Sequence, residues 1–317
     1  MATPLIATLT LNPSLDEVYT VQRLDPHDLN RAEAMQRYPG GKGINVARVV
    51  HELGGATRAH GFAGGRDGQW LVDAMDQLGV PHHCTRIAGT TRNNIKLITR
   101  RPRQEFQINT PGPRIASAEL RRLLRDMRVS YPRPAWWVFS GSVPPGVPTA
   151  IYRRLVAWAR QQRIPCALDT DGPALRAGLV EQPAFIKPNR AEAQRVLGRR
   201  LRTIGEVGRA ARAFTARGIE HVVISLGQEG AVLAVRATGE VWAASSPDVP
   251  VHSTIGAGDS LVGGFLFSLT RGQPGPEAFR HGVACGAACV MTSGTELCHR
   301  SAVARLLPRV RLRRLSV

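Results

Sequence analysis

Gly40-Gly41-Lys42-Gly43-Ile44-Asn45-Val46-Ala47-Arg48-Val49-Val50-His51-Glu52-Leu53-Gly54-Gly55 opens on a glycine-rich loop and closes on a glycine pair. Between them Val46, Val49, Val50 and Leu53 recur at helical spacing, with Asn45, Arg48 and Glu52 on another face. The stretch reads as a helix over Ile44–Leu53 with an N-terminus open to an anion and a glycine stop. Upstream, Leu5 to Leu11 alternates apolar and polar residues at period two and ends at Asn12-Pro13, a strand. Downstream the same rhythm repeats. Strands are predicted at Trp137–Phe139, Cys166–Leu168, Phe185-Ile186 and Val222–Leu226, and helices at about 149–163, 205–217, 259–271 and 276–292. Repeated βαβ units predict an α/β fold, a mostly parallel central sheet flanked by helices.

Several of these strands end on polar or glycine residues: Asn12, Ser140-Gly141, Asp169, Lys187-Pro188-Asn189 and Gly227. In open α/β sheets the carboxyl ends of the strands form the ligand crevice. Two stretches, about 17–38 and 90–110, are polar and β-leaning without a helical period, and are expected to form a small β-sheet lid over that crevice. With no repeat, low-complexity tract or long linker, residues 1–317 are read as a single domain with the lid as an insertion.

Composition narrows the function. At 317 residues, 43% of them hydrophobic, the chain can bury a sizeable core. No apolar run approaches the ~20 residues that span a bilayer, and Met1-Ala2-Thr3-Pro4 leads straight into a strand, so neither membrane span nor signal peptide is expected. Five scattered cysteines, Cys84, Cys166, Cys285, Cys289 and Cys298, suit free thiols in a reducing cytoplasm. His281, Cys285 and Cys289 share one helix face, which admits a metal site completed by Cys298 or His299. Their small neighbours, Gly282, Ala284, Gly286 and Ala287, favour instead close helix packing with cysteine as a core hydrophobe.

The net charge of +18 raises nucleic-acid binding as a first reading. Yet only Lys42, Lys96 and Lys187 among the 42 basic residues are lysines, and the arginines are spread along the chain with no aromatic-interleaved stripe. A diffuse arginine bias is the better account, and nucleic acid is not an expected partner. Where nearly every basic position is Arg, a retained Lys marks a place that needs a compact point charge.

The strongest chemical signal is Thr254-Ile255-Gly256-Ala257-Gly258-Asp259-Ser260, directly before an apolar helix from Leu261 to Leu269. Bare amides at a helix start hold anions, and the helix dipole favours negative charge there. An Asp at that point repels a phosphate unless its task is to take a proton from an attacking hydroxyl, the positioning that phosphoryl transfer requires. The plainer role for Asp259 is a helix cap. Ser225-Leu226-Gly227-Gln228-Glu229-Gly230 reads as a turn between two strands that can bring backbone close to a nucleotide. Asn189 and Glu192, three apart at a helix start, suit a water-shelled Mg²⁺, and equally a capping pair. Asp16 and the Gly40–Gly43 loop leading to Asn45 offer partners for sugar hydroxyls, and Lys42, Lys96 and Arg92 offer charge for a phosphate on the sugar. Neither a G-x-x-x-x-G-K-[ST] loop nor a G-x-G-x-x-G after the first strand exists, which removes support for P-loop and Rossmann dehydrogenase readings.

Gly40-Gly41-Lys42-Gly43-Ile44-Asn45-Val46-Ala47 followed by Thr254-Ile255-Gly256-Ala257-Gly258-Asp259 resembles the two signatures of the ribokinase-like (PfkB-type) carbohydrate kinases, over nearly the whole chain. The resemblance implies a ribokinase-like fold whose β lid often makes a homodimer, ATP as co-substrate, Mg²⁺, and room for a monovalent cation. By it, Asp259 is the base and Gly256, Ala257 and Gly258 the anion hole. ATP lies near Lys187, Asn189, Ser225, Gly227, Gly230, Thr254, Gly256 and Gly258, and Asn189 with Glu192 forms the metal motif. Asp16, Gly40, Gly41, Lys42, Asn45, Arg31, Arg92, Lys96 and Ser140 fall to the sugar side. Within the family the chain is similar to the phosphosugar branch. Asn30-Arg31, Gly41-Lys42-Gly43, Thr91-Arg92-Asn93-Asn94-Ile95-Lys96 and Ile108-Asn109-Thr110-Pro111-Gly112-Pro113 are nearest to 1-phosphofructokinases, while Gly294-Thr295-Glu296-Leu297-Cys298 is similar to the minor 6-phosphofructokinase. That enzyme carries Lys-Leu-Arg where this chain has Leu29-Asn30-Arg31, and Gly at Lys42. The expected reaction is phosphorylation of fructose 1-phosphate to fructose 1,6-bisphosphate. The alternatives are a 6-phosphofructokinase, a tagatose-6-phosphate kinase, a basic nucleic-acid binder and a non-catalytic sugar-phosphate sensor.

Overall fold

The computed structural model describes residues 3–317. Its strands, in chain order, are β1 (Leu5–Thr10), β2 (Ser14–Val21), β3 (Ala34–Gly40), β4 (Ala56–Gly64), β5 (His82–Ile87), β6 (Arg92–Arg100), β7 (Arg103–Asn109), β8 (Trp136–Ser140), β9 (Cys166–Asp169), β10 (Phe185–Ile186), β11 (His221–Ser225), β12 (Ala231–Val235), β13 (Val241–Ala244) and β14 (Leu312–Arg314). The helices are α1 (Lys42–Glu52), α2 (Gly65–Gln77), α3 (Ser117–Arg128), α4 (Ile151–Gln161), α5 (Gly172–Leu179), α6 (Arg190–Leu197), α7 (Ile204–Thr215), α8 (Ala257–Leu269), α9 (Gly275–Val290) and α10 (Arg300–Leu306).

Ten strands form one sheet in the order β14-β13-β12-β11-β10-β9-β8-β1-β4-β5. From β11 to β5 every pair is parallel; β12, β13 and β14 add an antiparallel flank. Successive residues on each central strand point into different cores. Ala7, Leu9, Trp137, Phe139 and Val222 meet α3, α4 and α7, while Ile6, Trp136, Val138 and Val223 meet α1, α8, α9 and α10. The alternation read in Leu5–Leu11 therefore does not mark a solvated face: all six residues of β1 are buried, Thr8 and Thr10 included. A central parallel strand is covered on both sides.

Strand order reverses beside β1. The chain runs outward through β4 and β5, then returns to lay β8 against the other edge of β1. Loops leaving β1 and β8 diverge there, opening a crevice. Asn12 and Ser142 face each other across it, Asn12 Nδ2 donating to Ser142 Oγ at 3.0 Å.

The two β-leaning stretches do form a separate sheet, in the order β3-β2-β6-β7. It begins earlier than expected, at Ser14, and residues 22–33 between β2 and β3 are irregular and largely exposed. That connection is held by Asn30, whose side chain accepts from Asp25 N at 2.8 Å and donates to Asp25 O at 2.7 Å. Cys285 and Cys289 are buried where α9 crosses α8, Cys285 against Gly264, and His281 Nδ1 lies 3.1 Å from Gly264 O. These residues pack a helix crossing. Among the described residues, no helix is long and apolar enough to cross a membrane.

Candidate active site

Two cavities meet at the carboxyl edge of the large sheet. The first, about 700 Å³, lies under the small sheet and is lined by Asp16, Gly41, Lys42, Asn45, Arg92, Asn94, Lys96, Lys187, Glu192 and Asp259 among others. The second, about 420 Å³, runs between the β11–β12 turn and α9, past Gly227, Gly230, Ala257 and Val283. Ser225, Thr254 and Gly258 line both. The junction is the mouth of α8.

That mouth is built by backbone conformation. Gly256 has φ +79°, and a side chain there would meet Leu297 at 2.5 Å. The bend leaves the amides of Ala257, Gly258 and Asp259 as first-turn donors without intrahelical carbonyls. A Cβ at 258 would approach Lys187 Nζ to 3.0 Å, so glycine keeps the ammonium close to the amides.

Asp259 is only 6% exposed. Its Oδ2 accepts from Asn45 Nδ2 at 2.8 Å, across the crevice from α1. The plainer cap role is not what the helix uses, since its N-cap is Gly256 with no side-chain cap bond. Burial pushes the Asp259 carboxyl up to about 6, and nearby Asp169 adds to the rise, while Lys42, Asn45 and Lys187 favour the anion. Asp169, at the end of β9, lies 3.0 Å from Lys42 Nζ and 3.6 Å from Lys187 Nζ. Its burial alone would raise its carboxyl, but Lys187 and Lys42 hold it below the usual range. Burial works against charge on Lys42, yet Asp169 and Asp259 keep it firmly protonated. Two ammoniums and two carboxylates thus share one floor.

At the other end of the first cavity, Asp16 on β2 accepts from Ser14 Oγ at 2.7 Å and Asn94 Nδ2 at 3.0 Å. Burial raises its carboxyl against these two bonds. Gly40 lies directly over this carboxylate, leaving no room for a side chain, and supports the cavity rather than lining it. Gly41 takes φ +112° to start α1, and Gly43 sits against Thr10, whose Oγ1 accepts from Ile44 N at 3.1 Å.

Asn189 and Glu192 form a reciprocal cap on α6: Glu192 N donates to Asn189 Oδ1 at 2.9 Å and Asn189 N to Glu192 Oε2 at 2.8 Å. Glu192 uses only Oε2 in that cap and lines the first cavity. Among the described residues no cluster of three or more His, Cys, Asp or Glu is spaced to hold a metal unaided. One or two carboxylates facing a phosphate site are the donor set that suits Mg²⁺ with water and phosphate completing its shell. The residues fit the ion.

Two expectations change, for Arg31 and Ser140, while Arg92 and Lys96 line the cavity with protein partners of their own. Arg31 is exposed on the 22–33 connection and is not among the residues lining the cavity, because that irregular segment turns to solvent. Ser140 is the last residue of β8 and its Oγ is buried toward Gly43 without a partner; Ser142, two residues on, lines the cavity. Arg92 reaches the cavity, but its guanidinium already donates to Thr110 O at 2.7 Å and Asn12 O at 3.0 Å. Lys96 is taken as well: its Nζ lies 2.9 Å from Glu105 Oε2 and 2.8 Å from Ser253 Oγ. Sequence reasoning misses Asn12, Ser142, Asn94, Gln107, Asn109 and Asp169 as site residues. Asn12 and Asp169 carry a signal, as polar residues ending predicted strands; the others are set by pairing in the small sheet and by the turn after β8.

Two cavities that meet at one helix mouth, with a buried carboxylate lining the first beside the junction, are the layout of a two-substrate transferase. The chain belongs to the pfkB family of carbohydrate kinases, whose family model matches residues 9–302. It is similar to the ATP-dependent 6-phosphofructokinase isozyme 2 of Mycobacterium tuberculosis, 37% identical over 304 residues, 95% of this chain and 88% of that protein. It is also similar to the 1-phosphofructokinase of Bacillus subtilis, 33% identical over 311 residues, 98% of this chain and 100% of that protein. The structure of phosphofructokinase-2 from Escherichia coli in complex with potassium aligns with a TM-score of 0.90 at 32% identity, covering 96% of this chain and 99% of that one.

Proposed function

We propose that the protein transfers the γ-phosphoryl group of ATP to a fructose phosphate, with fructose 1-phosphate as acceptor and fructose 1,6-bisphosphate as product. The observation that carries this is the buried Asp259 carboxylate, which lines the larger cavity one residue beyond Gly258, the α8 residue that lines both. The names of the relatives support a fructose phosphate as acceptor. The Gly41-Lys42-Gly43 and Asn93-Asn94-Ile95-Lys96 patterns favour the 1-phosphate. A coupled ADP-release assay with fructose 1-phosphate, fructose 6-phosphate and tagatose 6-phosphate, compared by kcat/KM, tests it. A higher value for fructose 6-phosphate would make the protein a 6-phosphofructokinase.

In this reading the sugar lies in the larger cavity with hydroxyls on Asp16, Asn45 and Asn94, and the nucleotide lies along Gly227, Gly230 and Ala257. Asp259 takes the proton of the attacking hydroxyl. A carboxyl held near 6 is ionised at neutral pH yet basic enough to accept it. The amides of Ala257 and Gly258 and the Lys187 ammonium face the oxygens of the moving group, placing charge where it develops. Glu192 and Asn189 would hold Mg²⁺ through water, and the ion would neutralise phosphate charge. The small sheet closes over the sugar and excludes water, which would otherwise compete as acceptor.

The outer face of that sheet supports a homodimer. Met35 on β3 and Phe106 and Ile108 (58% exposed) on β7 are large apolar side chains left in solvent, joined by Leu29 (68% exposed) from the connection before β3. A second copy would cover them. Light scattering of Ile108→Glu against the parent chain tests this, with a monomeric variant expected. Free cysteines, four of them buried, support a reducing, cytoplasmic setting.

A further inference from the structure

Lys96 stands at the centre of the small sheet, yet it is 3% exposed. An ammonium withdrawn from water needs charge and hydrogen-bond partners, and Lys96 has them from two directions. Glu105 Oε2, on neighbouring β7, lies 2.9 Å away. Ser253 Oγ, on the large body of the protein, lies 2.8 Å away and is itself 1% exposed. The same hydroxyl accepts from Ile255 N at 3.3 Å. Ile255 immediately precedes Gly256, the left-handed residue that shapes the α8 mouth. A second tie runs in parallel: Arg103 on β7 donates to His252 O at 2.8 Å. The small sheet is therefore pinned to residues 252–255, and Thr254 in that segment walls both cavities.

We propose that Lys96, through Ser253 and Glu105, is a positioning residue that couples the seating of the small sheet to the geometry of the phosphoryl-holding amides. This goes beyond the sequence expectation, in which Lys96 holds the sugar phosphate. The coupling rests on the kinase reading for its consequence, since its effect is to align Gly256–Asp259 when the sheet is seated over an acceptor. Positioning errors of about 1 Å cost about a hundredfold in rate. When the sheet lifts, Lys96 leaves Ser253, the hydroxyl is no longer held in place against Ile255 N, and the α8 mouth relaxes. ATP hydrolysis without acceptor is thereby suppressed.

Three variants test it: Lys96→Met, Glu105→Gln and Ser253→Ala. Ser253→Ala deletes one hydroxyl without stranding a charge, so it remains informative where Lys96→Met folds poorly. Expected for Ser253→Ala and Lys96→Met is a fall in kcat of about 10- to 100-fold with phosphosugar KM changed less than about threefold. The double variant should be no worse than the worse single one. A rise in phosphosugar KM of about a hundredfold with kcat intact in Lys96→Met, and normal kinetics in Ser253→Ala, would overturn the proposal in favour of a sugar-phosphate ligand. Hydrogen exchange in the free protein supplies a readout independent of substrate identity. Amides 253–259 should exchange at least tenfold faster in Ser253→Ala, with α3 and α4 unchanged. Unaltered exchange there would remove the coupling even where the parent enzyme is fully active. Faster exchange in a protein with no kinase activity would instead count against the kinase reading alone.

Discussion

Asn45 Nδ2 and Asp259 Oδ2 are joined by a 2.8 Å hydrogen bond between residues 214 positions apart. It ties the glycine-rich start of α1 to the glycine-rich start of α8, and so fixes the carboxylate relative to the acceptor cavity. The bond favours the ionised carboxylate, opposing the burial that disfavours it.

Asp259→Asn keeps the shape of the side chain and removes its basicity. The expected fall in kcat is about 10²- to 10⁴-fold, the usual contribution of a positioned base, with the ATP Kd within threefold by calorimetry. Near-normal turnover would end the assignment.

The pH dependence follows from the same group. Its carboxyl titrates at about 6 in the folded protein against an ordinary aspartate value of 3.8, so the native state holds the proton more tightly. Activity should rise with pH through about 6, because the base must be ionised. Stability linked to this group runs oppositely: it is fully present below about pH 4 and is lost as pH rises through 6. The loss is of the order of 1–3 kcal/mol. Asp259→Asn should accordingly raise Tm at pH 8 but not at pH 4, measured by calorimetry at both values. Equal shifts at both would place the stability effect elsewhere.

Lys42→Met removes one of the two ammoniums beside Asp169 and the charge that most favours ionised Asp259. The acid limb of the kcat profile should move to higher pH, and phosphosugar KM should rise at least tenfold while ATP KM moves less. Equal changes in both KM values would place Lys42 outside the acceptor pocket.

Glu192→Gln retains an oxygen that can accept from Asn189 N, so the α6 cap persists. The half-saturating Mg²⁺ concentration is expected to rise about tenfold, a loss typical of weakened metal-site partners. An unchanged Mg²⁺ titration would leave Glu192 as a cap alone.

Gly227 and Gly230 both have positive φ but differ in surroundings. A Cβ at 227 meets nothing within 4 Å, whereas one at 230 would overlap the carbonyl oxygen of Ala244. Gly227→Ala should cost about 1 kcal/mol from backbone strain alone. Gly230→Ala should cost more and weaken ATP binding, because β12 and the segment after β13 must separate. Urea unfolding of both variants checks the order.

Much of the scaffold was legible because buried parallel strands and amphipathic helices carry their own periods. Cys166–Asp169 and Phe185-Ile186 lie where the apolar runs predicted. Strand ends were legible too, since Asn12 and Asp169 break those runs. Side-chain direction at a strand end was not: Ser140 points to Gly43 and Ser142 reaches the cavity, a difference of one pleat and a turn. Lys42 and Lys96 stood out by type, but their partners Asp169, Glu105 and Ser253 are set by tertiary register. Burial at Asp259 is likewise a product of the whole fold. The short strand β14, Leu-Arg-Arg, carries no apolar pattern and pairs only because β13 offers an edge.

The reversal of strand order beside β1 has a consequence for biosynthesis. As the polypeptide emerges from a ribosome, β1 gains β4 on one side soon, but its other edge waits for β8, made some 130 residues later. At about 5–20 residues per second, that is roughly 6–26 s. Through that interval an apolar strand presents unpaired backbone, the condition that invites aberrant pairing between nascent chains. That edge of β1 thus stays open while β2 to β7 are made, and it is protected only by β8.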